Sequence, residues 1–244
     1  MPKIVMDRTG NIIIKICIFS IVLSLTALLL AYVFNRWNSE SEDASANIVN
    51  PPIIVIDAGH GGEDGGASSA DGLLEKDVNL SIALSLGDML KSSGYEVIYT
   101  RTDDRMLYTT HKKGTLKIQD LANRLKITNS SENRILISIH ANKFSQSKYS
   151  GSQIFYSKNN EQSRDLAKII QNNIKKSLQN DNDREIKEAG SNIFLLNKAK
   201  NPAILIECGF LSNPDECAKL KDEAYRKEMS SVIYESVIEF FAQM

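Results

Sequence analysis

The stretch at residues 53–62 constrains the fold more than any other part of the chain. It begins with four aliphatic residues in succession, a pattern typical of a strand buried on both faces. The strand ends at Asp57 and runs into a glycine-rich loop that contains His60 and extends to Gly66. Because α/β sheets place their ligand sites at the carboxyl ends of their strands, this stretch predicts an α/β domain with a functional loop.

Further apolar runs follow the first one along the chain. They predict five more strands, at residues 95–100, 134–139, 153–156, 193–196 and 203–206. Amphipathic patterns predict four helices between and after them, at residues 78–91, 116–125, 166–178 and 229–241. The order strand, helix, strand at the start of this series favours a parallel sheet.

An uncharged apolar run at residues 16–34 precedes this domain. In a helix the run would extend roughly 28 Å, close to the thickness of a bilayer core. Three basic residues before the run and one just after it predict a cytoplasmic N-terminus and export of the chain beyond the run. We expect a signal-anchor at residues 1–37, favoured over a signal peptide cleaved near residues 44–46, then a polar tether at 38–50 and the folded domain at 51–244.

Charge and cysteine content exclude some classes of protein. The chain has 29 basic and 30 acidic residues, so no basic excess points to a nucleic-acid partner. Three cysteines do not make a disulfide framework. Because Cys17 lies in the apolar segment, the only possible disulfide joins Cys208 to Cys217. We expect these two cysteines to be buried thiols instead.

Three polar side chains follow predicted strands: His60 lies in the loop after the first strand, and His140 and Glu207 come directly after Ile139 and Ile206. If these strands are parallel neighbours, their carboxyl ends meet at one edge of the sheet. Glu75, near the start of the first helix, faces the same edge because that helix begins where its strand ends. Two imidazoles and one carboxylate are a ligand set of catalytic zinc sites, and a further unligated carboxylate can take a proton from water.

Other interpretations of these residues stay open on spacing alone. A glutamate in the first turn of a helix is commonly a partner of the helix dipole, and His140 could be a core histidine with satisfied hydrogen bonds. We expect His111, in a polar loop, to be a surface residue. A phosphate-binding loop is disfavoured, because no lysine follows the glycines at the required spacing and Glu63 and Asp64 would repel an anion.

Four motifs, taken together and in order, resemble the zinc-dependent N-acetylmuramoyl-L-alanine amidases of bacterial cell walls. They are IDAGHGG at residues 56–62, LEKD at 74–77, SIHAN at 138–142 and IECGFLSN at 206–213. The resemblance covers nearly all of the exported domain. It implies one α/β domain with a mixed, mainly parallel twisted sheet of about six strands flanked by helices. It also implies one zinc ion held by His60, Glu75 and His140, with Glu207 as the catalytic carboxylate.

The resemblance further implies the substrate of the protein. It predicts hydrolysis, in peptidoglycan, of the amide bond between N-acetylmuramic acid and L-alanine. A single catalytic domain behind an N-terminal anchor is similar to the germination-specific amidases of endospore formers, which implies a role in spore cortex modification and formation of muramic-δ-lactam. The expected partners are peptidoglycan, the membrane and an activating envelope protein. Two alternatives are another exported zinc peptidase or deacetylase, and an anchored wall-binding protein that is inactive without a partner.

Overall fold

The computed structural model of the protein describes residues 18–33 and 51–244. Residues 18–33 form helix α1, and all of them are exposed. Within the two described ranges, no helix combines the length and the apolar character needed to cross a membrane. The predicted anchor extends past α1 at both ends, and these ends lie outside the described residues, so the anchor stays a prediction. Cys17 and the tether at 38–50 also lie outside the described residues.

Residues Asn50–Met244 form one compact α/β unit. Its strands are β1 (Ile53–Ala58), β2 (Val97–Tyr99), β3 (Arg134–Asn142), β4 (Gln153–Tyr156), β5 (Lys187–Glu188) and β6 (Ala203–Phe210). Its helices are α2 (Glu75–Ser92), α3 (Leu116–Thr128), α4 (Gln162–Ser177), α5 (Phe194–Lys198), α6 (Pro214–Lys221) and α7 (Glu223–Ala242).

The strands form one mixed sheet in the order β2-β1-β3-β6-β4-β5. Strands β2, β1, β3 and β6 are parallel neighbours, whereas β4 is antiparallel to β6 and carries β5 parallel to itself. The predicted mixed, mainly parallel sheet of six strands is therefore confirmed. Its central strands, β1, β3 and β6, end at the same edge, and the candidate active site lies there.

Helices cover both faces of the sheet, which explains why the central strands are apolar throughout. On one face, Val55 and Leu136 pack in a buried cluster with Leu195 and Leu196 of α5, and Leu121 of α3 packs against that cluster. On the other face, α2 packs on β1 and β3, and α7 packs on α2 and α4. Burial of each such leucine or isoleucine side chain contributes on the order of 1.5–3 kcal/mol.

The strand predicted at residues 193–196 is wrong, because this segment forms helix α5. Leu195 and Leu196 are neighbours in the sequence, and both are buried in the same cluster. A strand cannot achieve this, because successive side chains of a strand point to opposite faces. The sixth strand is instead β5, which consists of two exposed residues, Lys187 and Glu188.

The two described cysteines, Cys208 and Cys217, are free and buried. The expectation of buried thiols is thus confirmed for this pair.

Candidate active site

The predicted site residues lie together at the carboxyl edge of the central strands. His60 is the second residue after β1, and His140 and Glu207 lie near the ends of β3 and β6 as register partners of each other. Glu75 is the first residue of α2, directly after the N-cap residue Leu74. The parallel arrangement of three strands therefore collects side chains that are far apart in the sequence.

Two imidazole nitrogens converge on one carboxylate oxygen. The Oε1 atom of Glu75 lies 2.9 Å from Nδ1 of His140 and 3.2 Å from Nε2 of His60. One donor atom from each of the three residues lies within 4.8 Å of the others, a spacing at which the three can share a metal ion. The described residues contain no other such group of three histidine, cysteine or acidic side chains.

The surrounding backbone holds Glu75 in this orientation. Its Oε2 atom accepts a hydrogen bond of 2.7 Å from the backbone N–H of Ala67, and Oε1 accepts one of 3.3 Å from Ala141. Burial raises the pKa of Glu75, but hydrogen bonding and positive charge from His140 and His60 outweigh burial and hold this pKa well below its ordinary value. The group is therefore a carboxylate, the form that binds a cation.

His60 has an unusual backbone conformation, with φ of 62°, and is the one non-glycine residue with positive φ among those described. Such a conformation costs energy and is found preferentially at functional sites. The Nδ1 atom of His60 lies 2.9 Å from Oδ2 of Asp64, but the two atoms are not aligned as a hydrogen bond. The Nε2 atom of His60 faces Glu75. Burial lowers the pKa of His60, but Asp64 and Glu75 together raise it to about 9.

Two glycines of the loop leave room for these side chains. A Cβ atom on Gly66 would lie 2.6 Å from Oε2 of Glu75, and one on Gly59 would lie 2.3 Å from Cε1 of His140. Both distances are too short for any real contact. The glycine-rich sequence therefore permits close packing of the loop against the metal-binding group.

Glu207 lies beside this group but is not one of its three members. Its register partner is His140, and paired residues of neighbouring strands project from the same face of a sheet about 4.8 Å apart. Burial raises the pKa of Glu207 to about 7, with the charge of Glu75 adding to burial and His140 and His60 opposing it. A carboxyl group that titrates near neutrality can both accept and donate a proton.

Several residues that support the site were not predicted from the sequence. Asp64 was considered only as a group that repels anions, although its position four residues after His60 in a turning loop was a usable signal. Arg101 and Arg124, which contact the backbone of this loop, were given no role. His111 is exposed and pairs with Glu63 at 2.9 Å, which agrees with the expectation of a surface residue.

Comparison with known proteins assigns the chain to a family. The family model described as N-acetylmuramoyl-L-alanine amidase matches residues 54–239, which include all four residues of the predicted site. The chain belongs to the N-acetylmuramoyl-L-alanine amidase family. The resemblance seen in the four motifs and the predicted enzyme class are thereby confirmed.

Individual amidases extend the match over most of the chain. The germination-specific N-acetylmuramoyl-L-alanine amidase of Bacillus subtilis is 36% identical over 226 residues, which cover 92% of this chain and 94% of that protein. The CwlD amidase from Clostridioides difficile, solved in complex with the GerS lipoprotein, is 41% identical with a TM-score of 0.76. That match covers 79% of this chain and 100% of the solved one.

A more distant amidase shares the same architecture. The amidase AmiC2 of Nostoc punctiforme is 26% identical with a TM-score of 0.67, and the match covers 78% of this chain and 96% of that one. The fold of this chain is therefore shared by germination-specific amidases and by other members of the family.

Proposed function

We propose that this amidase uses one zinc ion, held by His60, Glu75 and His140, to cleave the bond between N-acetylmuramic acid and L-alanine in peptidoglycan. The observation that carries the proposal is the convergence of two imidazole nitrogens on one Glu75 oxygen, at 2.9 and 3.2 Å, with Glu207 next to His140. Three protein ligands leave a position for water or substrate, which is the arrangement of catalytic zinc sites.

The residues present fit a zinc ion. Two imidazoles and a carboxylate are ligands that zinc accepts readily, and Glu75 is held as a carboxylate by its surroundings. Asp64 lies on the far side of the His60 ring from Glu75, where a carboxylate commonly orients a metal-binding histidine. A zinc ion bound here supplies the Lewis acidity that makes water nucleophilic near neutral pH.

Glu207 is the proposed general base and general acid. It takes a proton from the water that attacks the lactyl carbonyl carbon, and it then donates this proton to the nitrogen of L-alanine as the C–N bond breaks. The pKa of about 7 supports both steps, since neither protonation state is strongly disfavoured at neutral pH. The products are a glycan with a free lactyl carboxylate and a free stem peptide.

Product analysis tests the reaction and the role of Glu207 together. The purified protein, loaded with zinc, is incubated with peptidoglycan beside Glu207→Gln, and the products are identified by mass spectrometry. We expect peptide-free muramic acid from the wild type and a rate roughly 10²–10⁴-fold lower from Glu207→Gln, which should keep its zinc. Release of acetate or of shortened peptides instead would indicate a deacetylase or peptidase. No cleavage by zinc-loaded protein, both alone and with added envelope lipoproteins, would favour a wall-binding role.

The proposed setting is the envelope of a spore-forming cell. The amidase of Bacillus subtilis that is 36% identical carries the description germination-specific, which supports a role in cortex modification and muramic-δ-lactam formation. Residues 1–37 are proposed to export the domain and to anchor it outside the membrane. We expect spores that lack this protein to contain no muramic-δ-lactam. An unchanged lactam content would contradict the cortex role.

An activating envelope protein is the proposed partner. The 41% identical amidase of Clostridioides difficile was solved in complex with a lipoprotein, which supports a partner of this kind for the present chain. We expect zinc content and amidase rate to increase when envelope lipoproteins from the source cell are added to the purified protein. Full activity of the protein alone would contradict this part of the proposal.

A further inference from the structure

Two buried arginines, Arg101 and Arg124, meet beneath the loop that carries His60. Each is only 1% exposed, so neither guanidinium is available to a polymeric substrate. Both donate hydrogen bonds to backbone carbonyls of the loop. This is an unusual use of buried charge, because burying an arginine is costly unless its donors are satisfied.

Arg124, on α3, reaches the backbone of His60 itself. Its Nη2 donates to the carbonyl of His60 at 2.7 Å, and its Nη1 donates to the carbonyl of Ala58 at 2.8 Å. Its charge is balanced by Asp57 and Asp120, at 2.6 and 2.8 Å. A neutralised guanidinium is thus fixed against the residue that has the strained backbone.

Arg101, just after β2, connects the same loop to the start of α2. Its Nε donates to the carbonyl of Ala58 at 2.9 Å, and its Nη2 donates to those of Gly59 at 3.0 Å and Lys76 at 2.7 Å. Lys76 is the residue after Glu75, so one side chain joins the backbones that carry two of the proposed ligands. Arg101 forms no ion pair with any described residue.

The three successive carbonyls of residues 58–60 leave the β1 ladder as the chain turns. Their oxygens need donors, and the left-handed conformation of His60 costs on the order of 1–3 kcal/mol. The two guanidiniums supply these donors in a fixed planar arrangement. A lysine keeps the charge but cannot span two carbonyls with rigid geometry.

We infer that Arg124 and Arg101 are positioning residues that hold His60 and Glu75 in ligand geometry before the metal binds. The inference rests on the proposed function, since it assumes that these side chains bind zinc. It adds a role for two residues whose guanidinium groups contact backbone carbonyls at or next to the proposed ligands, and not the metal-binding side chains themselves. Their effect is expected on zinc affinity first and on the rate only through it.

The test compares the zinc dissociation constants of Arg124→Lys and Arg101→Lys with that of a matched control, Arg226→Lys. Arg226, on α7, also donates to two backbone carbonyls, those of Leu220 and Lys221 at 2.8 and 2.7 Å, but the contacts of its side chain lie on α6 and α2, away from the loop. Affinity is measured by competition with a chelator at a temperature where circular dichroism shows each variant folded. The free energy of unfolding of each metal-free variant is measured in parallel.

We expect zinc affinity to fall roughly 10–100-fold in Arg124→Lys and Arg101→Lys, as for other residues that orient metal ligands, and less than about 3-fold in Arg226→Lys. Unchanged zinc affinity in both site variants would overturn the inference. So would a loss of zinc affinity in Arg226→Lys as large as that in the site variants, when all of them lose the same free energy of unfolding. If neither site variant folds, the inference also fails, because a positioning role requires a folded protein that binds zinc weakly. A wild type that binds no zinc would instead overturn the proposed metal site, so the two failures are distinguishable.

Discussion

At the scale of single residues, the space beside His140 is set by the absence of a side chain at Gly59. A Cβ atom there would lie 2.3, 2.4 and 2.7 Å from three atoms of the imidazole ring. Gly59→Ala should therefore displace His140 and weaken zinc binding by at least roughly 10-fold, measured by chelator competition. Gly65→Ala is the matched control, since its Cβ would meet only Leu74, at an ordinary 3.8 Å. Equal zinc affinity in the two variants would show that His140 does not need this space.

The sequence revealed the four proposed site residues but not the residues that support them. His60, His140 and Glu207 each follow an apolar run in the sequence, so the local pattern was sufficient to single them out. The contacts of Arg124 with Asp57 and His60 span 67 and 64 residues and depend on the packing of α3 beneath β1. No local pattern encodes such a contact, and the resemblance to the family assigned no role to Arg124.

At the scale of elements, prediction succeeded where a strand is buried on both faces and failed where an apolar run is short. Strands β1, β3 and β6 are long, rich in β-branched residues and close to their predicted positions. Residues 193–196 have the same apolar character, but a run of four does not distinguish a strand from a buried helical turn. Strand β5 has only two exposed, charged residues, and helix α6 has eight residues, so both lacked a pattern long enough to predict.

The start of helix α7 is stabilised by a side-chain cap. Asp222 accepts a hydrogen bond of 2.9 Å from the backbone N–H of Ala224. Asp222→Ala should lower the free energy of unfolding by about 1 kcal/mol, and Asp222→Asn, which keeps an acceptor, should cost much less. Chemical denaturation of the two variants measures the difference. Equal stability would mean that the packing of α7 on α2 and α4 fixes its start without the cap.

At the scale of the whole molecule, stability should fall in acid partly through the buried pair of Asp57 and Arg124. Burial raises the pKa of Asp57, but the charge of Arg124 and the hydrogen bond from Ser138 outweigh burial and lower this pKa from 3.8 to about 2. Because the folded-state pKa is the lower one, the stabilisation is complete above about pH 4 and is lost as the pH falls through 2.

The size of this contribution can be isolated with Asp57→Asn. The shift corresponds to about 2 kcal/mol, so the difference in unfolding free energy between wild type and Asp57→Asn should narrow by about that amount between pH 5 and pH 2. Denaturant titrations across this range supply the measurement. A difference that does not change with pH would show that Asp57 does not titrate in this window.

The proposed amidase reaction depends on zinc chemistry at the carboxyl edge of the sheet. The most direct measurement removes metal from the purified protein with a chelator, returns zinc in steps, and follows the release of stem peptides from peptidoglycan. We expect no release without metal and a rate that rises with zinc and levels off at one equivalent, because His60, Glu75 and His140 form a single group. Cleavage that survives the removal of metal, or that keeps rising well beyond one equivalent, would contradict the proposed reaction.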